Sequence, residues 1–143
     1  MTQLEIARNI ATKAHEGQFR KMGEDKGKPY IVHPERVAEA LSHYSETLAS
    51  AGFLHDVLED TNITEADLKS QGIDDYVIEI VKQVTKKEGE NYLDFILRIK
   101  GYQFATLLKI ADLKDNMKSL QEGSLLDKYR MALWILNQAD ANR

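Results

Sequence analysis

Residues 53–60 read Phe-Leu-His-Asp-Val-Leu-Glu-Asp and place four ionisable groups, His55, Asp56, Glu59 and Asp60, within little more than two helical turns. Read as one helix, His55 and Glu59 share a face as an i, i+4 pair. Asp56 and Asp60 share another, rotated by about 100°. Leu54, Val57 and Leu58 require part of this helix to be buried. A histidine and two carboxylates beside a core are costly unless a cation or basic group compensates them. Two readings fit: a histidine satisfied by its neighbouring carboxylates, or nitrogen and oxygen ligands converging on one ion. The second needs His55 and Asp56 to point into the same gap between helices.

Three further segments bear on that choice. Tyr30-Ile31-Val32-His33-Pro34 sets a second histidine just before a helix, with its local backbone fixed by proline; alone, His33 reads as well as a turn or capping residue. Leu107-Leu108-Lys109-Ile110-Ala111-Asp112 puts an aspartate on an otherwise apolar helix, with Asn116 one turn later on the same face. The simplest partner for such a carboxylate is a buried cation. Arg20-Lys21, in the loop before His33, suits a phosphate or a stacked base, or serves surface solubility. Charge is uneven: residues 18–30 carry a local +2, and residues 55–75 set seven acidic groups against Lys69 alone.

Composition bounds the chemistry. A chain of 143 residues makes one domain, expected over 1–143, and hides roughly 68–70% of its unfolded surface without disulfides. The net charge of -4 argues against a coat on nucleic acid or membrane. Cysteine is absent, which excludes thiol catalysis, zinc–thiolate sites and iron–sulfur clusters. Any metal must therefore sit on carboxylates and the four histidines. No apolar run approaches the roughly 18 residues needed to cross a bilayer, and Met1 to Glu5 lacks the form of a signal peptide, so the expectation is a soluble, cytoplasmic domain.

The elements that must position these groups are helical. Thr2 with Glu5 predicts a capping box ahead of Leu4, Ala7, Ala11 and Ala14, and Gly17 to Pro29 reads as a loop. Pro34 opens a second helix with Val37, Leu41 and Tyr44 inward. Ser45 caps a third carrying Leu48, Ala51, Leu54 and Leu58, and Thr64 and Gly72 bracket a short fourth. Val77, Ile80, Val81 and Val84 repeat at i, i+3, i+4, i+7; so do Tyr92, Phe95, Ile96 and Ile99, and then Phe104, Leu107, Leu108 and Ala111. Ser124 with Asp127 caps a last helix with Tyr129, Ala132, Leu133 and Leu136 inward, while Gly101 and Gly123 fall at helix ends. The fold class is all-α, with about seven or eight helices and no repeat.

The order His33, His55-Asp56, Asp112 resembles the HD phosphohydrolase superfamily. More closely, AHEGQFRK with PYIVHP, LHDVLEDT and LLKIADLKDNM are similar to the hydrolase domain of the Rel/SpoT stringent-response enzymes, over residues 5–137. With no synthetase region attached, the chain resembles a stand-alone small alarmone hydrolase. The resemblance implies a compact HD-domain fold and one divalent metal, usually Mn2+, held by His33, His55, Asp56 and Asp112; the same ligands suit Fe2+. It implies that Glu59 and Asp60 position or deprotonate the attacking water, that Arg20 and Lys21 stack on the base and contact phosphate, that Asn116 contacts the nucleotide, and that Tyr129 lines its pocket. The implied substrate is a small molecule, guanosine tetra- or pentaphosphate, whose 3′-diphosphate leaves as pyrophosphate; no nucleic acid and no membrane is involved.

The chain also departs from that pattern. The loop RKMGEDKGKPY is longer than in the long bifunctional enzymes, Asp115 stands where those usually carry histidine in A-D-x-x-H-N, and NYLDFILRIKGYQFATLL replaces the region before the last metal ligand. These changes leave the metal residues in place and fall on guanine specificity and regulation. His43 is expected on a helix surface and His15 behind the ligands or anchoring the loop. Two other readings stand beside the first: a phosphohydrolase of another phosphorylated nucleotide, such as NADPH or a nucleoside phosphate, and a non-catalytic nucleotide-binding or antitoxin-like module, which predicts damage to the metal set or the Glu59-Asp60 pair.

Overall fold

A computed structural model describes residues 1–138; the single-domain expectation over 1–143 extends to 139–143, which lie outside the described residues. The described residues form α1 (Gln3–Ala14), α2 (Val32–Leu41), α3 (Glu46–Leu54), α4 (Val57–Asp60), α5 (Glu65–Ser70), α6 (Asp75–Gln83), α7 (Tyr92–Lys100), α8 (Gln103–Lys118) and α9 (Ser124–Asn137). Their only strand-like pairing is the bridge Phe19–Pro29. None of these helices is long and apolar enough to cross a membrane. Several helices begin where side chains satisfy orphan amides. The Thr2–Glu5 capping box closes at 3.1 and 3.3 Å, Ser45 Oγ accepts from Leu48 N at 3.0 Å, and Thr64 with Asp67 forms a second box at 3.1 and 2.8 Å.

The centre is α3, buried on every side from Leu48 to Leu54, as expected of a helix that is apolar all round. It packs against α1, α2, α6 and α8. The α2–α3 contact is unusually close because Gly52 has no side chain: a Cβ there would meet the Ala38 backbone at 3.1–3.2 Å. That contact sets the gap between His33 on α2 and His55 at the end of α3.

The structure departs from the sequence expectations at several points. The described residues are all-α, as expected of about seven or eight helices, but the predicted third helix is broken in two at His55-Asp56, so His55 and Glu59 are not one helical face. At the break the Gly52 carbonyl, which a continuing helix would offer four residues on, accepts from His55 Nδ1 at 2.7 Å. Tyr44 and Phe104, expected inside, are 53% exposed. Helix α2 stops at Leu41, leaving Tyr44 in a turn stacked on His43. The buried stripe of α8 runs through Ala105, Leu108, Asp112 and Asp115, which turns Phe104 outward. Ser124 makes no cap; Gly123 holds that position and so precedes a helix rather than ending one.

Because a side chain at position 52 must push apart two packed backbones, Gly52→Val is expected to destabilise the fold by about 1–3 kcal/mol. Thermal unfolding followed by circular dichroism checks this, and an unchanged melting temperature would show that the α2–α3 contact yields freely.

Candidate metal centre

Four donor atoms from three elements converge behind the α3–α4 break. His33 Nε2 lies 2.8 Å from Asp112 Oδ1, His55 Nε2 lies 3.2 Å from the same oxygen, and Asp56 Oδ2 lies 2.9 Å from His55 Nε2 and 3.9 Å from His33 Nε2. His33, His55 and Asp112 are buried and their donor atoms lie within 4.8 Å of one another; Asp56 is the more open fourth. Bonds of about 2.1 Å meeting at right angles would place neighbouring donors about 3 Å apart, so this set fits one divalent ion. Both imidazoles are also turned the right way. His55 Nδ1 donates to the Gly52 carbonyl, and His33 Nδ1 donates to Asp115 Oδ2 at 2.6 Å, which leaves each Nε2 free as a ligand.

A second layer holds the carboxylates. Lys109 Nζ donates to Asp112 Oδ2 at 2.8 Å, and the Tyr30 hydroxyl donates to Asp56 Oδ2 at 2.5 Å. Arg36 Nε donates to Asp115 Oδ1 at 2.7 Å. Beside the cluster opens a cavity of about 760 Å³ whose lining includes Arg20, Lys21, Tyr30, Asp60, Asn116 and Tyr129. Its Gly-rich wall is not irregular: Arg20 N donates to the Lys28 carbonyl at 2.8 Å and Tyr30 N to the Gln18 carbonyl at 2.9 Å, making a small hairpin. Arg20 lies 5.5 Å over the Tyr30 ring and donates to Asn116 Oδ1 at 2.8 Å. Asn116 Nδ2 donates in turn to Asp112 Oδ1 at 3.2 Å, so its amide links the cavity wall to the cluster. His15 anchors the hairpin: its Nδ1 meets Gln18 Oε1 at 2.8 Å while Gln18 Nε2 donates to the Asp60 carbonyl at 2.9 Å. His43 is exposed, in the turn after α2 rather than on a helix.

Comparison with known proteins is consistent with this geometry. The model for "HD domain" matches residues 7–94. The chain belongs to the HD domain family. The match holds His33, His55 and Asp56, whereas Asp112 lies beyond it and is brought in by α8. A guanosine-3′,5′-bis(diphosphate) 3′-pyrophosphohydrolase of Haemophilus influenzae is 40% identical over 129 residues, 81% of this chain and 18% of that protein. One of the same name from Aquifex aeolicus is 36% identical over 129 residues, again covering 18% of the relative. The chain thus spans about a fifth of the curated relatives it matches. A solved structure of a metazoan ortholog of SpoT, described as hydrolysing ppGpp, superposes with a TM-score of 0.79 at 22% identity over 99% of this chain and 89% of its own, which establishes the fold.

Within this HD domain, charge is exchanged among neighbours. Burial opposes protonation of His33 and His55, yet the carboxylates of Asp112, Asp115 and Asp56 prevail and raise both imidazoles. In return the two imidazoles hold Asp56 and, with Lys109, Asp112 below their ordinary range against burial. Burial likewise pushes Asp115 up, and hydrogen bonds from His33 and Arg36 outweigh it and lower it to about 2. Glu59 and Asp60, at the exposed end of α4, are raised by desolvation and by each other's neighbourhood of carboxylates, Asp56 included. Tyr30, Asp115, Arg36 and Lys109 were not assigned roles from the sequence. The i−3 and i+3 spacing of Lys109 and Asp115 about Asp112 was the available signal.

With His33 and His55 raised above 6.5, the metal-free fold gains stability from their protons at pH below about 6.5 and loses it as pH climbs through the folded values. In chelator, the melting temperature is therefore expected to fall from pH 6.5 to 9, while a bound divalent ion, which needs neutral imidazoles, removes the decline. A chelated protein whose melting temperature is flat or rising over that range contradicts the cationic histidines.

Proposed function

We propose that this HD domain is a Mn2+-dependent hydrolase of guanosine tetra- and pentaphosphate, working in the cytoplasm, with His33, His55, Asp56 and Asp112 as the metal ligands. The observation that carries the reading is the union of two features: a donor set fitting one divalent ion and a cavity of about 760 Å³ whose lining residues Tyr30 and Asn116 hydrogen-bond to Asp56 and Asp112 of that set. The names of the relatives supply the substrate class.

When bound, such an ion supplies Lewis acidity and a lowered pKa for a water beside it. The rest falls to the chain. Glu59, its carboxyl raised by desolvation and by Asp60 and Asp56, takes the proton of the attacking water. Asp60, tethered through its backbone to Gln18, orients that water from the cavity side. Arg20, already stacked over Tyr30, stacks on the base, and Lys21 at the rim meets phosphate. Tyr129 closes the apolar side of the cavity, and Asn116 keeps Arg20 in register with the ligand Asp112. One water is consumed: its oxygen joins the phosphorus attached to the 3′ oxygen, that P–O bond breaks, pyrophosphate leaves, and a proton restores the 3′-hydroxyl.

Purified protein loaded with Mn2+ is expected to release pyrophosphate from ppGpp. Glu59→Gln should keep the metal and lose about 10²–10⁴ in kcat, whereas Asp112→Ala should lose metal and activity together. No pyrophosphate from folded, metal-loaded protein, or a wide preference for NADPH or a nucleoside monophosphate in the same panel, overturns the alarmone reading. Activity surviving Asp112→Ala overturns the metal assignment.

A further inference from the structure

The hairpin that walls the cavity is bound to the metal centre by a route none of the proposed catalytic roles uses. At its tip lies a 3-10 turn, Gly23–Asp25, of charged and small residues, yet Asp25 is only 6% exposed. Its carboxylate is folded inward against the Arg36 guanidinium of α2, with Lys28 Nζ at 3.3 Å on its other oxygen. Arg36 simultaneously grips Asp115 of α8, through Nε at 2.7 Å and Nη2 at 3.3 Å. Asp115 then holds His33 Nδ1 at 2.6 Å. A second contact seats the same tip: Gly23 has φ +70, and a Cβ there would stand 1.9 Å from the Ser119 carbonyl oxygen at the end of α8.

We propose that Asp25 and Arg36 are positioning residues that couple the cavity hairpin to the metal centre, so that the tip is seated when His33 is set as a ligand and the ligand is set when the tip is seated. The physical basis is the fork of Arg36. A guanidinium bound by one carboxylate can swing; bound by two from different elements it is fixed, and it fixes the orientation of Asp115 and so of the imidazole. Supporting groups of this kind behind a metal ligand change metal affinity by about 10- to 100-fold when removed. Coupling of this sort is reciprocal, so metal must order the tip by the same factor that the seated tip strengthens metal binding. The inference rests on His33 being a metal ligand but not on which nucleotide is cleaved.

The test uses Mn2+ alone, titrated into the whole chain and followed by the electron paramagnetic resonance of free Mn2+, alongside hydrogen exchange of residues 22–28 with metal or chelator. Asp115→Asn is expected to weaken Mn2+ binding by about 10- to 100-fold. Asp25→Asn, one step further out, should weaken it by about 3- to 10-fold and make exchange at the tip insensitive to metal, with unchanged circular dichroism. Arg36→Lys keeps the charge but lacks the planar fork that fixes both carboxylates and should reproduce the loss, and adding Asp25→Asn to it should have little further effect. Gly23→Ala, which unseats the tip without removing a charge, should also weaken binding, a result that keeps the proposal testable if a charge variant fails to fold. Wild-type Mn2+ affinity in both Asp25→Asn and Gly23→Ala, or tip exchange in the unsubstituted protein that ignores metal, overturns the coupling while leaving the site intact. Absence of Mn2+ binding by the unsubstituted protein overturns the metal site and the coupling with it.

Discussion

Three carboxylates, Asp56, Asp112 and Asp115, meet where α2, α8 and the α3–α4 break come together, and the fold closes over them only because their charge is answered. An unpaired carboxylate in such a place is prohibitive. Here His33 and His55 stand between Asp112 and its neighbours, Lys109 takes the second oxygen of Asp112, and Arg36 takes Asp115. Two protons on the imidazoles carry the same charge as one divalent ion. A divalent ion bound there would take the place of those protons and bring positive charge to the same carboxylates. The broken helix follows from the same demand. A continuous α3–α4 would set Asp56 on a face about 100° from His55, whereas the break brings Asp56 Oδ2 within 2.9 Å of the His55 imidazole.

The acidic segment 55–75 is two things that composition could not separate. Asp56 belongs to the buried cluster and Asp60 lines the cavity beside it, while Asp67 closes the capping box of α5 and Glu65 pairs with Lys82 at 3.5 Å. The hairpin brings Arg20 and Lys21 to the cavity, and Lys109 cancels one charge of the cluster from beneath. The cavity therefore lies between an anionic turn and a cationic wall.

Most of the fold was legible because its helices carry their own starts and faces: Thr2, Ser45 and Thr64 cap as their sequences predict, and the stripes of α6 and α7 are buried as spaced. What failed was local periodicity where tertiary demands won. Phe104 followed the apolar period of α8, but the buried face of that helix is fixed by Asp112 and Asp115 turning toward α2. The break at His55 had no signal, since neither glycine nor proline follows it there; it is accompanied by an imidazole reaching a carbonyl three residues back. The ligand candidates were readable as residue types because histidines are few. Of the groups behind them, Lys109 is marked only by its i−3 spacing from Asp112, and Arg36 and Tyr30 look like ordinary surface or loop residues until folding sets them against carboxylates.

Asp115 shows why such supporting groups come as a set rather than singly. A carboxylate behind His33 makes the imidazole a stronger ligand than a neutral acceptor would, but it adds a buried negative charge. Arg36 answers that charge and brings a positive one into a half-buried position, which Asp25 answers from the hairpin, and Lys28, 55% exposed, answers Asp25 at the surface. Charges alternate in sign from the ligand outward until water can take the last. A substitution at any one of these positions leaves its neighbour with unbalanced charge, so the carboxylate at 115, the arginine at 36 and the inward-folded aspartate of the hairpin are physically a single choice. The hairpin that walls the cavity is in this sense the outer end of the buried cluster.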